Sequence, residues 1–207
     1  MQNFIVNKIS SLDKKYVDIS FDNRESLILH IDIALKYSIV KGYTLDSTNI
    51  TQMIYDSNLI NAKSAALKFL NYKPRFQKEL ELKIIKLGFE NRIVNEVIKF
   101  AKEYKLINDE ELTVQYIKEK FKIKAWTNYR LINELSLKGV DKDFVKQNID
   151  EIISPEKELE RALQISEKKL LTIKNKPLIK QQSSISNLLQ RNGYSYEIIR
   201  KILDALC

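Results

Sequence analysis

The chain has 207 residues, 44% hydrophobic and 30% charged with a formal net charge of +8, which suffices to bury a core in one or two ordinary domains. Four glycines and three prolines are too few for a loop-rich fold, and the single cysteine, Cys207, excludes an intrachain disulfide framework or a cysteine metal site and fits a reducing cytoplasm. No apolar run approaches the roughly 18 residues of a membrane span, and Met1–Ser11 lacks the basic leader and apolar block of a signal peptide, so a cytoplasmic protein is expected.

The first thirty residues read as strands. Phe4–Ile9 is apolar and β-branched. Tyr16–Phe21 alternates strictly, with Val17, Ile19 and Phe21 on one face, and Ser26–Ile31 follows the turn signal Asp22-Asn23. A small antiparallel β-meander is expected, leaning on the helices after it because an isolated hairpin is barely stable. From Ile33 the period becomes helical. Ile33, Ala34, Tyr37 and Val40 imply a short helix ended by Gly42, and Asp46 can cap another that buries Ile50, Met53 and Ile54.

The remainder is a repeat. Gly88, Gly139 and Gly193 lie 51 and 54 residues apart, each between two amphipathic segments. Phe89, Val140 and Tyr194 follow directly, then Glu90, Asp141 and Ser195, which suit a helix N-terminus. Ile98, Ile149 and Leu203 come ten places after the glycine; Leu80, Leu131 and Ile185 come eight before. A chain leaving a helix commonly turns through a left-handed conformation that glycine takes without steric cost. A further helix precedes each pair, lined by Ala62, Ala65, Ala66, Phe69 and Leu70, by Leu112, Tyr116 and Ile117, and by Leu159, Ala162, Leu163 and Leu170, the last capped by Ser154 with Pro155 in its first turn. The expected fold is mainly α: three tandem three-helix units (61–107, 108–153, 154–207) after a head of β-meander and short helices (1–60). Shared interfaces would make it elongated and curved.

The motifs within these units resemble the RecX family. In the first, Leu67-Lys68-Phe69-Leu70 leads to Lys73-Pro74-Arg75, Glu79-Leu80 and the closing Gly88-Phe89; in the second, Leu106-Ile107-Asn108-Asp109-Glu110 leads to Glu134-Leu135 and Lys138-Gly139-Val140. Arg191–Ile199 is similar to the third, and the likeness spans nearly the whole chain. The departures are Asn108 in place of an acid, Phe76 in place of a small polar residue, and Lys124–Asn128 where a glycine-containing stretch is usual. The resemblance implies a modulator with no catalytic residues and no cofactor. It would be a monomer that binds RecA on single-stranded DNA and inhibits its ATP hydrolysis, strand exchange and coprotease action in repair and recombination.

Charge is uneven: residues 1–60 carry 6 basic and 7 acidic groups, residues 61–207 carry 29 and 20. A basic body suits a polyanionic or acidic partner, though it equally suits a solvated lysine-rich surface. Treating residues 75–87 as one helix, Arg75, Lys78, Lys83 and Lys86 form a face apart from Leu80, Ile84 and Leu87, with Lys73 just ahead of it. Phosphates or an acidic protein groove could be met there, or solvent alone. Lys118, Lys120, Lys122 and Lys124 surround Phe121 and Trp126 in the densest basic run, with Arg130 and Lys138 as candidates for the same surface. Bases could stack on Trp126, but aromatics there more often anchor a core. Lys168, Lys169, Lys174, Lys176 and Lys180 read first as solvated, His30 as a strand-end structural residue, and Cys207 as inert. No phosphate-binding glycine loop, zinc spacing or nucleophile–histidine pair is present. An independent DNA-binding protein with helix-turn-helix-like units is the alternative, and a structural adaptor a third.

Overall fold

The computed structural model describes residues 3–206, and the chain divides into two compact units, 1–107 and 108–207. The first unit opens with β1 (Asn3–Ser11), β2 (Tyr16–Phe21) and β3 (Leu27–His30), followed by α1 (Ile31–Lys36) and β4 (Thr44–Asp46). All pairings are antiparallel, in the order β3-β2-β1-β4. The alternation of β2 does what its sequence dictates: Val17, Ile19 and Phe21 are buried, beside Phe4, Val6 and Leu29, and under Ile33, Leu45, Ile50 and Met53. His30 ends β3, and its Nδ1 accepts a hydrogen bond from the Asp32 backbone N–H to cap α1.

Two features of the head differ from the sequence reading. The sheet gains a fourth strand, β4, whose Leu45 pairs with Phe4; three residues with one apolar position show no period to detect. The short helix ends at Lys36, where Ser38 (φ +49°) and not Gly42 supplies the left-handed turn that ends it, while the Ile39 N–H closes back on the Ala34 carbonyl. Gly42 (φ +83°) instead bends the chain into β4 and donates to the Val6 carbonyl at 2.7 Å.

Asp46 caps α2 (Ser47–Tyr72), accepting from the Asn49 N–H in a reciprocal capping box. The sequence pattern predicts a boundary at 60/61, between this helix and the first helix of the repeats. The structure has one unbroken 26-residue helix there. Its first half buries Ile50 and Met53 against the sheet. Its second half buries Ala62 and Ala66 against α3 (Gln77–Lys86) and α4 (Asn91–Glu103), over Leu80, Ile84, Ile93, Val97 and Ala101.

The second unit holds α5 (Asp109–Glu119), one π-helical turn (Lys120–Lys124), α6 (Asn128–Leu137), α7 (Lys142–Ile152), α8 (Pro155–Ile173), α9 (Leu178–Asn192) and α10 (Tyr196–Leu206). Caps explain the helix starts: Asn108, Thr127, Asp141 and Ser154 each accept backbone N–H bonds, and Pro155 occupies the first turn of α8. The three repeat glycines take the expected left-handed turn, with φ of +88°, +89° and +90°. At the latter two, Val140 and Tyr194 fold back, donating to the Leu135 and Leu189 carbonyls, and are themselves buried. The fold is thus mainly α with a small antiparallel sheet at the start of the chain. Among the described residues no helix is long and apolar enough to cross a membrane. Cys207 lies outside the described residues.

Candidate basic surfaces

In the first unit the cations read from the sequence separate into two settings. Lys78 and Lys86 ride on α3 away from the buried Leu80 and Ile84, and Lys83 stands on the flank beside them. Arg75 does not share that helix: α3 begins at Gln77, with the buried Phe76 as its N-cap residue and Glu79 accepting from the Phe76 N–H at 3.1 Å. Pro74 disfavours helix at Lys73, where α2 ends, and the Phe76 cap starts α3 beyond Arg75, so the wheel that sets Arg75 among the α3 lysines fails. The Arg75 guanidinium lies 4.3 Å from the ring centroid of Phe69 on α2, with its buried Nε lacking a hydrogen-bond acceptor. Lys73, Lys78 and Lys86 are exposed and Lys83 is half-buried.

In the second unit the fold gathers residues that the sequence keeps apart. Tyr116 on α5 is the hub. Lys120, one turn on, places its ammonium 5.0 Å from the Tyr116 ring centroid, and Lys138, from the far end of α6, sits 5.7 Å away. Trp126 meets Tyr116 edge to face at 6.2 Å, and the Arg130 guanidinium stacks 4.2 Å from the Trp126 ring. Three cations and two aromatics therefore make one surface, each ring face attracting positive charge through its quadrupole. Lys120 also pairs with Glu119 at 2.7 Å, and the hydrogen bond it donates holds the Glu119 carboxyl below the usual range. Lys118, Lys122 and Lys124 are exposed around this cluster. The π turn ends at Ala125, buried and left-handed (φ +53°), which swings Trp126 back over α5. Trp126 and Phe121 are half-buried, and Arg130 already occupies a face of Trp126. Tyr116 was readable only as a core position of α5. Its spacing of four from Lys120 was the available signal, and nothing in the sequence brings Lys138 to it.

Arg130 has a second engagement, at the seam between the second and third repeats. Its Nη1 donates to the Arg191 carbonyl, and Arg161 of α8 donates through Nη2 to the Lys122 carbonyl. The Thr127 hydroxyl lies 3.1 Å from the Gly193 carbonyl and 3.3 Å from that of Asn192, and its backbone N–H donates to Asn192 at 3.2 Å. The Asn128 N–H donates to Glu158 Oε1 at 3.4 Å. Burial pushes the Glu158 carboxyl above its ordinary value, partly offset by that bond. Burial, then the nearby Glu158, also pushes the Tyr194 hydroxyl up. Lys168, Lys174, Lys176 and Lys180 are exposed and Lys169 is half-buried. Among the described residues no three His, Cys, Asp or Glu side chains come together as a metal site would need.

Comparison with known proteins bears on the family and the fold. Residues 62–100 match the first three-helix domain of RecX and residues 156–203 the third. A protein of Finegoldia magna named regulatory protein RecX is 29% identical over 201 residues, covering 96% of this chain and 98% of that one. The Bacillus subtilis protein of the same name is 28% identical over 97% of this chain and 76% of its own length. Two solved RecX structures share the fold. One has a TM-score of 0.67 at 19% identity, over 97% of this chain and 99% of that one; the other, from Lactobacillus salivarius, has 0.58 at 24% identity, over 72% and 96%. With the three-helix domains in their places along the chain, relatives of one name matching it nearly end to end, and the same fold in solved structures, this chain belongs to the RecX family.

Proposed function

We propose that this chain binds a RecA recombinase filament on single-stranded DNA and restrains its ATP hydrolysis, strand exchange and coprotease action, working as a cytoplasmic binding protein and not as an enzyme. The observation that carries the reading is the basic–aromatic surface of the second repeat, where Lys120, Lys138 and Arg130 are held on Tyr116 and Trp126 amid the exposed Lys118, Lys122 and Lys124. Cations held on aromatic rings lose less freedom on binding an anionic partner than free lysines do. The names of the relatives support a regulatory role. In the first unit, Lys73, Arg75, Lys78, Lys83 and Lys86 provide further contacts with acidic protein or phosphate.

The test is ATP hydrolysis by the cognate RecA on single-stranded DNA, titrated with this protein at a small fraction of the RecA concentration. Strong inhibition at that ratio is expected. An unchanged rate with folded protein, together with tight, steeply salt-dependent DNA binding in the absence of RecA, would replace this reading with that of an independent DNA binder.

A further inference from the structure

The first unit carries a feature of its own. Between α2 and α3 runs a groove of about 350 Å³ lined by Ala65, Lys68, Phe69, Lys83 and Leu87. Its floor is apolar. Leu87 is exposed, and Ala65 and Phe69 are half-buried against the core. Its rims are cationic: Lys68 and Lys83 make no ion pair among the described residues. Arg75 lies across Phe69 with its buried Nε unpartnered.

We infer that this groove docks an acidic peptide segment carrying one aliphatic side chain, the side chain resting on Ala65, Phe69 and Leu87 and its flanking carboxylates meeting Lys68 and Lys83. Charge complementarity sets the partner's sign. The floor sets its class: a nucleobase would stack on the open face of an aromatic ring, but here the Arg75 guanidinium covers a face of Phe69 and the other walls are aliphatic. A leucine-sized anchor between two unpaired ammonium groups fits a groove of this volume, the arrangement typical of a small interface with an apolar centre and a charged rim. The inference rests on the regulatory reading only in that the natural partner is a protein, and it adds where and by what chemistry that protein is held.

The test uses the full chain and a fluorescein-labelled twelve-residue peptide of Asp, Glu and Ser with one central leucine, followed by anisotropy. A second peptide has serine for that leucine, and an unlabelled single-stranded oligonucleotide serves as competitor. Neither the exposed Lys68 nor the half-buried Lys83 belongs to the core, and circular dichroism checks the folding of Lys68→Glu and Lys83→Glu. Binding should weaken about fivefold or more without the leucine, as expected for one buried aliphatic anchor. It should weaken about tenfold or more in each charge-reversal variant. Absent binding, equal binding of the two peptides, or complete displacement by the oligonucleotide with no leucine dependence would overturn the proposal. A protein that inhibits RecA yet binds neither peptide overturns the groove alone. A protein that binds with leucine dependence yet leaves RecA unaffected upholds the groove and overturns the regulatory reading.

Discussion

Replacing Gly193 with alanine tests the seam that joins the second and third repeats. Gly193 and Gly88 have nearly the same backbone, φ +90° and +88°, so an alanine at either meets the same left-handed strain, about 1–2 kcal/mol. Their surroundings differ. A Cβ at Gly88 meets nothing within 4 Å, whereas at Gly193 it falls 2.6 Å from Thr127 Oγ1 and 3.1 Å from Arg130 Cβ. The Thr127 hydroxyl, whose single proton is shared between the Asn192 and Gly193 carbonyls, must then leave them, forfeiting about 1 kcal/mol. Gly88→Ala should therefore cost about 1–2 kcal/mol and Gly193→Ala about 2–3 kcal/mol. Trp126 is the sole tryptophan and lies one residue from Thr127, so its fluorescence in a urea titration reports on the seam. Circular dichroism reports on Gly88→Ala. A double-mutant cycle with Thr127→Ala isolates the contact: without the hydroxyl, Gly193→Ala should cost strain alone, leaving a coupling of about 1 kcal/mol. Additivity within about 0.5 kcal/mol would refute the close approach.

Three further outcomes are expected. Burial raises the Glu158 carboxyl, so its ionisation opposes folding: stability falls as pH rises from the ordinary carboxylate range through the raised value, and the full cost persists above it. Glu158→Gln should therefore stabilise the second unit at pH 7 and flatten that limb, as read by Trp126 fluorescence at several pH values. Burial also pushes Asp56 up, but hydrogen bonds from Lys36, Gln52 and Tyr37 outweigh it and hold the carboxyl below its usual range. Its contribution is present above the ordinary carboxylate value and lost as pH falls through the lowered one, so Asp56→Asn should weaken the head at pH 7 and converge on wild type in acid, measured by circular dichroism melts. Ala62 is fully buried where α2 packs in the first repeat, so Ala62→Leu should overpack that core and cost about 1–3 kcal/mol in chemical denaturation.

The legible part of the fold rested on local chemistry. The alternation of Tyr16–Phe21, the glycine corners, and Asp46, Ser154 and Asp141 as caps were all readable because each acts through its immediate neighbours. The continuity of α2 was not readable, and the reason is geometric. Its buried positions run Ile50, Met53, Ser57, then Ala62 and Ala66. The step of five from Ser57 to Ala62 rotates the buried stripe by about 140° from a single face, because the helix leaves one core and enters another. A periodicity scan sees two helices where the backbone makes one. Of the candidate site, the charges were legible and the company they keep was not. Spacing draws Arg75 onto α3, but the Phe76 cap starts that helix beyond it and Arg75 lies over Phe69. Charge alone puts Lys120, Lys138 and Arg130 forward for one surface. The hub that unites them, Tyr116, and the turn at Ala125 that delivers Trp126 depend on tertiary packing and a π turn that no local pattern announces.

The central claim is that the second repeat's basic–aromatic surface restrains a RecA filament. It is tested most directly by comparing wild type with the Lys120→Glu, Lys138→Glu double variant in the RecA ATPase titration on single-stranded DNA, after circular dichroism has shown both to be folded. The account expects the wild type to inhibit at substoichiometric ratios and the double variant to need at least about tenfold more protein for the same effect, as reversing two interfacial charges implies. Equal inhibition by both proteins would contradict it.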